Sequence, residues 1–122
     1  MIPSSDWLKS LFAAIDRMDA DEFAAHLAGD VELQFGNIPV VKGREPVRAF
    51  VGNFFASIRA VRHDILEHWV CGETTIVCRG IVNYVRHDGS TMSAPFANVM
   101  KLEDGRATEY RVYADLSALF AS

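Results

Sequence analysis

The stretch TTIVCRGIVNYVRHDGSTMSAPFANVMKL, Thr74 to Leu102, decides the fold of this 122-residue chain. Two strand-like runs, Thr74 to His87 and Ser90 to Leu102, flank His87-Asp88-Gly89. An Asp-Gly pair favours a hairpin because both residues tolerate the positive φ such turns require. The pattern extends in both directions. Glu103-Asp104-Gly105 leads into Ala107 to Ala114, and Gly72-Glu73 follows Val61 to Cys71. The spacing predicts a meander of four long antiparallel strands. With Gly72-Glu73 as the turn, Cys71 lies beside Thr74 and Cys78 opposite Glu67. That geometry predicts two free, half-buried thiols, as expected in a reducing cytoplasm, and neither has metal-ligand spacing.

Upstream of residue 61 the period is helical. Ser4-Ser5-Asp6 offers N-cap side chains ahead of Trp7, Leu8, Leu11, Phe12, Ile15 and Met18, one apolar helix face ended by Asp16-Arg17-Met18-Asp19. Asp19 then reads as the N-cap of a second helix, with Glu22 reaching back to it, carrying Phe23, Ala24 and Leu27 and stopping at Gly29. Val31 to Phe35 alternates as a short strand, Gly36-Asn37-Ile38-Pro39 is a turn, and Val40 to Gly43 is a second short strand. Pro46 suits the first turn of a third helix bearing Val47, Phe50, Val51, Phe54, Phe55 and Ile58. Those phenylalanines either pack a core or line an apolar cavity. Helices before strands imply an α+β fold, with helices on one face of a curved sheet.

The composition fits one domain, residues 1–122. Half the residues are apolar and the net charge is −4, which provides a core and argues against disorder. Lys and Arg are scattered, so no nucleic-acid partner is expected. The N-terminus lacks the basic and apolar regions of a signal peptide, and no run has membrane-spanning length. A cytoplasmic protein without a membrane partner, metal or cofactor is expected.

Several residues carry possible chemistry. Glu109, Arg111, Tyr113 and Asp115 share one face by strand period. They form either the polar end of a pocket or a solvated strand face, with Asp115 capping the turn at Leu116 to Leu119. In an apolar pocket Asp115 would have a raised pKa suited to acid–base work. Arg111 touching Asp115 would lower it. His63, between Arg62 and Asp64, is either a catalytic partner of Asp115 or a surface histidine. Asn98 shares a face with Met92, Ala94, Phe96 and Met100, a mixture that reads as a pocket wall or as an amide satisfied by a neighbouring strand. Tyr84 and Tyr113 either donate to a ligand oxygen or pack at a core edge.

The order helix–helix–short strand–helix–long meander resembles the nuclear transport factor 2-like fold. Within it the chain resembles the SnoaL-like group, with its polyketide cyclases, ketosteroid isomerases and limonene epoxide hydrolases. The residues carrying this are Gly43-Arg44-Glu45-Pro46-Val47, Arg62-His63-Asp64-Ile65, and Asp104 through Leu116. The resemblance implies a cone-shaped antiparallel sheet around an apolar cavity, with the last strand ending in an Asp that projects into it. Asp115, Arg111, Tyr113 and Asn37 match the epoxide hydrolase pattern. Phe35 replaces a Tyr, and Gly80 and Val82 stand where that pattern has an Arg and an Asp. The general acid of epoxide opening is therefore missing. Leu33-Gln34-Phe35-Gly36 holds no carboxylate where ketosteroid isomerases place their base. The resemblance also implies a homodimer through the outer sheet face, with Trp69, Ile65 and Val77 as interface candidates.

These readings converge on a protein that binds a hydrophobic small molecule. The expected acid–base residues are Asp115, His63 and Tyr113; the expected ligand contacts are Asn98, Phe35, Asn37, Phe54, Tyr84, Phe96, Met100 and Arg111. The reaction would be an isomerisation, cyclisation or hydration. The alternative is a non-catalytic binding or dimerisation module with a degenerate site.

Overall fold

A computed structural model describes residues 5–119; the Ser4 cap and Phe120 lie outside them. Helix α1 spans Ser5–Asp16 and buries Leu8, Leu11, Phe12 and Ala14. Met18 takes a left-handed φ of 55°. Met18 N–H donates to Ile15 and Asp19 N–H to Ala14, the paired bonds of a Schellman stop. That stop consumes the Asp19 N–H which Glu22 was expected to cap. The other half of the box forms, as Glu22 N–H donates to Asp19 Oδ1 at 3.0 Å.

Helix α2 is shorter than its sequence suggests, Ala20–Ala24. Strand β1 begins already at Leu27 and runs to Phe35, so Gly29 lies within a strand and does not end the helix. Strand β2 is Val41–Lys42 and helix α3 is Arg44–Ala56, with Pro46 in its first turn. The meander follows as β3 Ala60–Cys71, β4 Thr75–Val85, β5 Thr91–Glu103 and β6 Arg106–Ala114, then a 3-10 turn, Ser117–Leu119. The sheet order is β2-β1-β6-β5-β4-β3. It is curved and unclosed. The expected sheet was antiparallel, but β1 runs parallel to β6, so the sheet is mixed. Strand β1 follows α1 and α2 in the chain and lies between β2 and β6 in the sheet.

Two irregularities set which side chains face inward. The β3–β4 turn covers residues 72–74, pairing Cys71 with Thr75 and His68 with Cys78. The expected register is one residue off there. An unpaired Leu66 between Ile65 and Glu67 restores it, so His63 pairs with Val82. This bulge also flips the strand's phase. Ile65 packs against the core, whereas Trp69, opposite Val77, is exposed. Ile65 therefore does not share an outer face with Trp69. In β6, Lys101 pairs with Glu109 and Leu102 with Ala107, leaving Thr108 unpaired. Beyond it Tyr110, Val112 and Ala114 turn inward.

Cys71 is exposed and Cys78 is fully buried, which corrects the expectation of two half-buried thiols. Burial pushes the Cys78 thiol up to about 12, and the thiolate is the reactive form. At pH 8 a disulfide-exchange reagent is expected to modify one thiol per native chain and both in denaturant. Two rapidly modified thiols in the native protein would contradict this packing. Among the described residues no helix is long and apolar enough to cross a membrane.

Candidate functional site

Between the helices and the inner face of the sheet lies an apolar pocket of about 60 Å³. Phe35, Phe50, Phe54 and Phe55 line one side, from β1 and α3. Phe23, Phe96, Val61 and Val82 line others, and the polar lining groups are His63, Tyr84, Asn98 and Tyr110. No Lys, Arg, Asp or Glu lines it among the described residues. A charged ligand would lose hydration there without a counter-charge, so the lining suits a neutral molecule.

His63 is the centre of the polar set. It faces inward from β3, wedged between Phe12 and Phe96 at ring-centroid distances of 4.8 and 5.2 Å. Its partner is Asp16, in the last turn of α1. Asp16 Oδ1 lies 2.7 Å from His63 Nδ1, and Oδ2 accepts the His63 backbone N–H at 3.1 Å. A carboxylate at a helix C-terminus faces the negative end of the macrodipole. Its two bonds to His63 compensate for that placement. An ionised carboxylate only accepts, so the proton sits on Nδ1. In the neutral ring Nε2 is then a lone pair, and it accepts no hydrogen bond among the described residues. The dyad buries the histidine, whose side chain is 10% exposed, while Asp16 stays at 27%.

A second polar pair stands deeper. Asn98 Nδ2 donates to the Tyr110 hydroxyl at 3.3 Å. Asn98 Oδ1 is buried with no partner. An unsatisfied buried carbonyl costs about 1–3 kcal/mol, and a ligand donor would relieve that cost. Burial raises the Tyr84 hydroxyl well beyond its ordinary range, and Tyr110 likewise. Both therefore remain neutral hydrogen-bond donors at physiological pH rather than bases.

Of the residues singled out in the sequence, His63, Asn98, Phe35, Phe54, Tyr84 and Phe96 meet in this pocket. The others do not. Asp115 does not project into it: the residue is exposed, and its Oδ1 accepts from Ser117 N–H at 3.1 Å and Ser117 Oγ–H at 2.7 Å. These bonds lower its pKa below the usual carboxylate value, opposite to the expected rise. Tyr113, on the same outward phase, is 55% exposed. Arg111 donates to Gln34 Oε1 at 2.7 Å and Glu109 Oε1 at 3.3 Å, away from Asp115. Met100 is core, and Asn37 lies with Asp115 in a surface hollow.

Asp16 and Tyr110 were the residues that sequence reasoning missed. The second was recoverable: Tyr110, Val112 and Ala114 form the apolar phase of β6, which Leu116 continues beyond the strand. The first was not, because α1 and β3 are joined only by tertiary packing.

The comparisons agree with this architecture. The chain is similar in structure to a candidate polyketide cyclase from Xanthomonas campestris pv. campestris, with 24% identity and a TM-score of 0.85 over 94% of this chain and 92% of that one. It also resembles a protein with a ketosteroid isomerase-like fold from Catenulispora acidiphila, solved in complex with trimethylamine, at 16% identity and a TM-score of 0.84, covering 96% of this chain and 89% of that one. A third likeness is to an LEH-like epoxide hydrolase from M. tuberculosis, at 15% identity and a TM-score of 0.79, covering 94% and 84%. At such identities these likenesses show the fold alone. No curated protein matches the sequence. The family model for the SnoaL-like domain matches residues 8–110, most of the chain, and the protein belongs to that family.

Proposed function

We propose that this chain is a cofactor-independent enzyme that moves a proton on a neutral, largely apolar ring compound bearing a carbonyl or hydroxyl group. The carrying observation is the double hydrogen bond from His63 to Asp16. It fixes the ring's tautomer and orientation and leaves Nε2 as the base toward the pocket. Removal of a proton α to a carbonyl creates an enolate. The neutral Tyr84 hydroxyl and the Asn98 amide are the groups available to bind its oxygen. The imidazolium formed at His63 is stabilised by Asp16 and returns the proton elsewhere on the substrate. Isomerisation, cyclisation by carbon–carbon bond formation, and loss of water all share this first step.

Epoxide opening is less well served. It needs an acid for the leaving oxygen and a base for water, and among the described residues the lining offers one histidine and no carboxylate. A dimerisation module without catalysis is favoured by the small volume of the pocket, since ligand sites are commonly about 300–1,000 Å³. Bicyclic enones, tetralones, anthrone-type ketones and epoxides incubated with the protein separate these readings. Turnover of ketones and enones that depends on His63 is expected. Turnover of epoxides alone, or none across the panel, would overturn the proposal.

A further inference from the structure

A second hollow, of about 510 Å³, opens at the surface between the loop after β1 and the end of β6. Asn37, Tyr113, Asp115 and Ser117 supply its polar lining. Phe35, Ala114 and Leu116 line both this hollow and the buried pocket, so these three side chains form the partition between them. Ala114 has only a methyl group to contribute. Leu116 is buried beside the Asp115 cap. Phe35 is the movable part: it is half-buried and rests on Phe50 and Phe54 at centroid distances of 6.2 and 5.1 Å. Because its ring lines both spaces, turning it to another rotamer would join them.

The buried pocket lies below the usual range of ligand sites and gains room for a ring compound when Phe35 turns aside, whereas the hollow falls within that range. We infer that the hollow is the outer subsite of one elongated binding site, entered past Phe35, and that it receives a ligand end bearing a protonated amine. The inner end of this site rests on the function proposed above; the outer end does not.

The polar groups of the hollow argue for a donor. Asp115 Oδ1 is occupied by Ser117, but Oδ2 accepts nothing among the described residues. The bonds from Ser117 favour its ionised form, so the free oxygen is a charged acceptor at neutral pH. Among the described residues no Lys or Arg lines the hollow to compete for it. The side chains of Asn37 and Tyr113 make no hydrogen bond among the described residues and are free to turn toward a ligand. Side chains that lie outside the buried pocket are thus placed to select a substrate's polar end.

The test compares 1-naphthol with 1-(3-aminopropoxy)naphthalene, by calorimetry and by amide shifts in nitrogen-15-labelled protein. Both probes are expected to shift His63 and Asn98, and only the amine to shift Asn37, Tyr113 and Ser117. The amine is expected to bind about two- to fivefold more tightly, the range of an exposed ion pair, with the gain shrinking in high salt. Asp115→Asn, which keeps an N-cap side chain, is expected to abolish that gain while leaving naphthol affinity unchanged. Equal binding of the two probes, or a gain that survives Asp115→Asn, would overturn the outer subsite alone. Absence of naphthol-induced shifts at His63 and Asn98 would overturn the inner pocket and this inference with it.

Discussion

Replacing His63 by phenylalanine is expected to lower turnover of a responsive ketone by about 10²- to 10⁴-fold, the usual contribution of a positioned general base. Phenylalanine keeps a ring between Phe12 and Phe96, so the loss reports chemistry rather than a cavity. Asp16→Asn is expected to produce a loss in the same range through a different route. An amide can present its NH₂ to Nδ1, which forces the proton onto Nε2 and removes the lone pair facing the pocket. Because the two residues act as one unit, the double variant should be scarcely worse than either single one. Losses that multiply would mean that Asp16 and His63 act independently. Melting temperatures measured alongside keep folding defects separate from lost chemistry.

The second large effect is on stability. Gly80 sits opposite the β3 bulge, where the Asp64 carbonyl folds down onto its Cα. A Cβ at this position would land on the Asp64 oxygen, and would also lie 2.9 Å from the Asp64 carbonyl carbon and 3.1 Å from Ile65 Cα. All three are backbone atoms and cannot rotate away. Overpacking a core costs about 1–3 kcal/mol, and a clash with backbone belongs at or above the top of that range. Gly80→Ala is therefore expected to destabilise by about 3 kcal/mol or more in urea unfolding, and to displace His63 two pairs along the ladder. Gly52→Ala in α3 is the matched control. Its Cβ would make an ordinary 3.8 Å contact with Ala20, and the better helix propensity should stabilise by up to about 1 kcal/mol. A Gly80→Ala protein as stable as the wild type would show that the bulge is not where the structure has it.

Turn chemistry made most of the fold legible. Asp88-Gly89 and Asp104-Gly105 mark the two hairpins that order β4, β5 and β6, and Pro46 marks the start of α3. Two bulges were not legible, because an unpaired residue leaves no trace in local propensity. One at Leu66 moved Ile65 off the Trp69 face. The other, at Thr108, leaves Ala107 and Tyr110 both facing the core despite their odd spacing. The parallel β1–β6 pairing was equally hidden, since it is set by long-range closure.

The site shows how a strong motif can mislead. Asp115 stood at the end of a strand in a pattern associated with catalysis, yet Val112, Ala114 and Leu116 already marked the opposite phase as the buried one. Alternation within β6 was the better guide. His63 could be singled out from sequence, but not its partner. Asp16 lies 47 residues away, and a carboxylate ending a helix reads locally only as a helix stop.

In the proposed reaction His63, held by Asp16, removes a proton from a carbon acid in the pocket. Proton–deuterium exchange at the α-carbon of 2-tetralone in deuterated buffer, followed by NMR, tests it without knowledge of the natural substrate. Exchange accelerated well above buffer by the wild-type protein, and returned to the buffer rate by His63→Phe, is the predicted result. Exchange no faster than in buffer, or equally fast with His63→Phe, would contradict it.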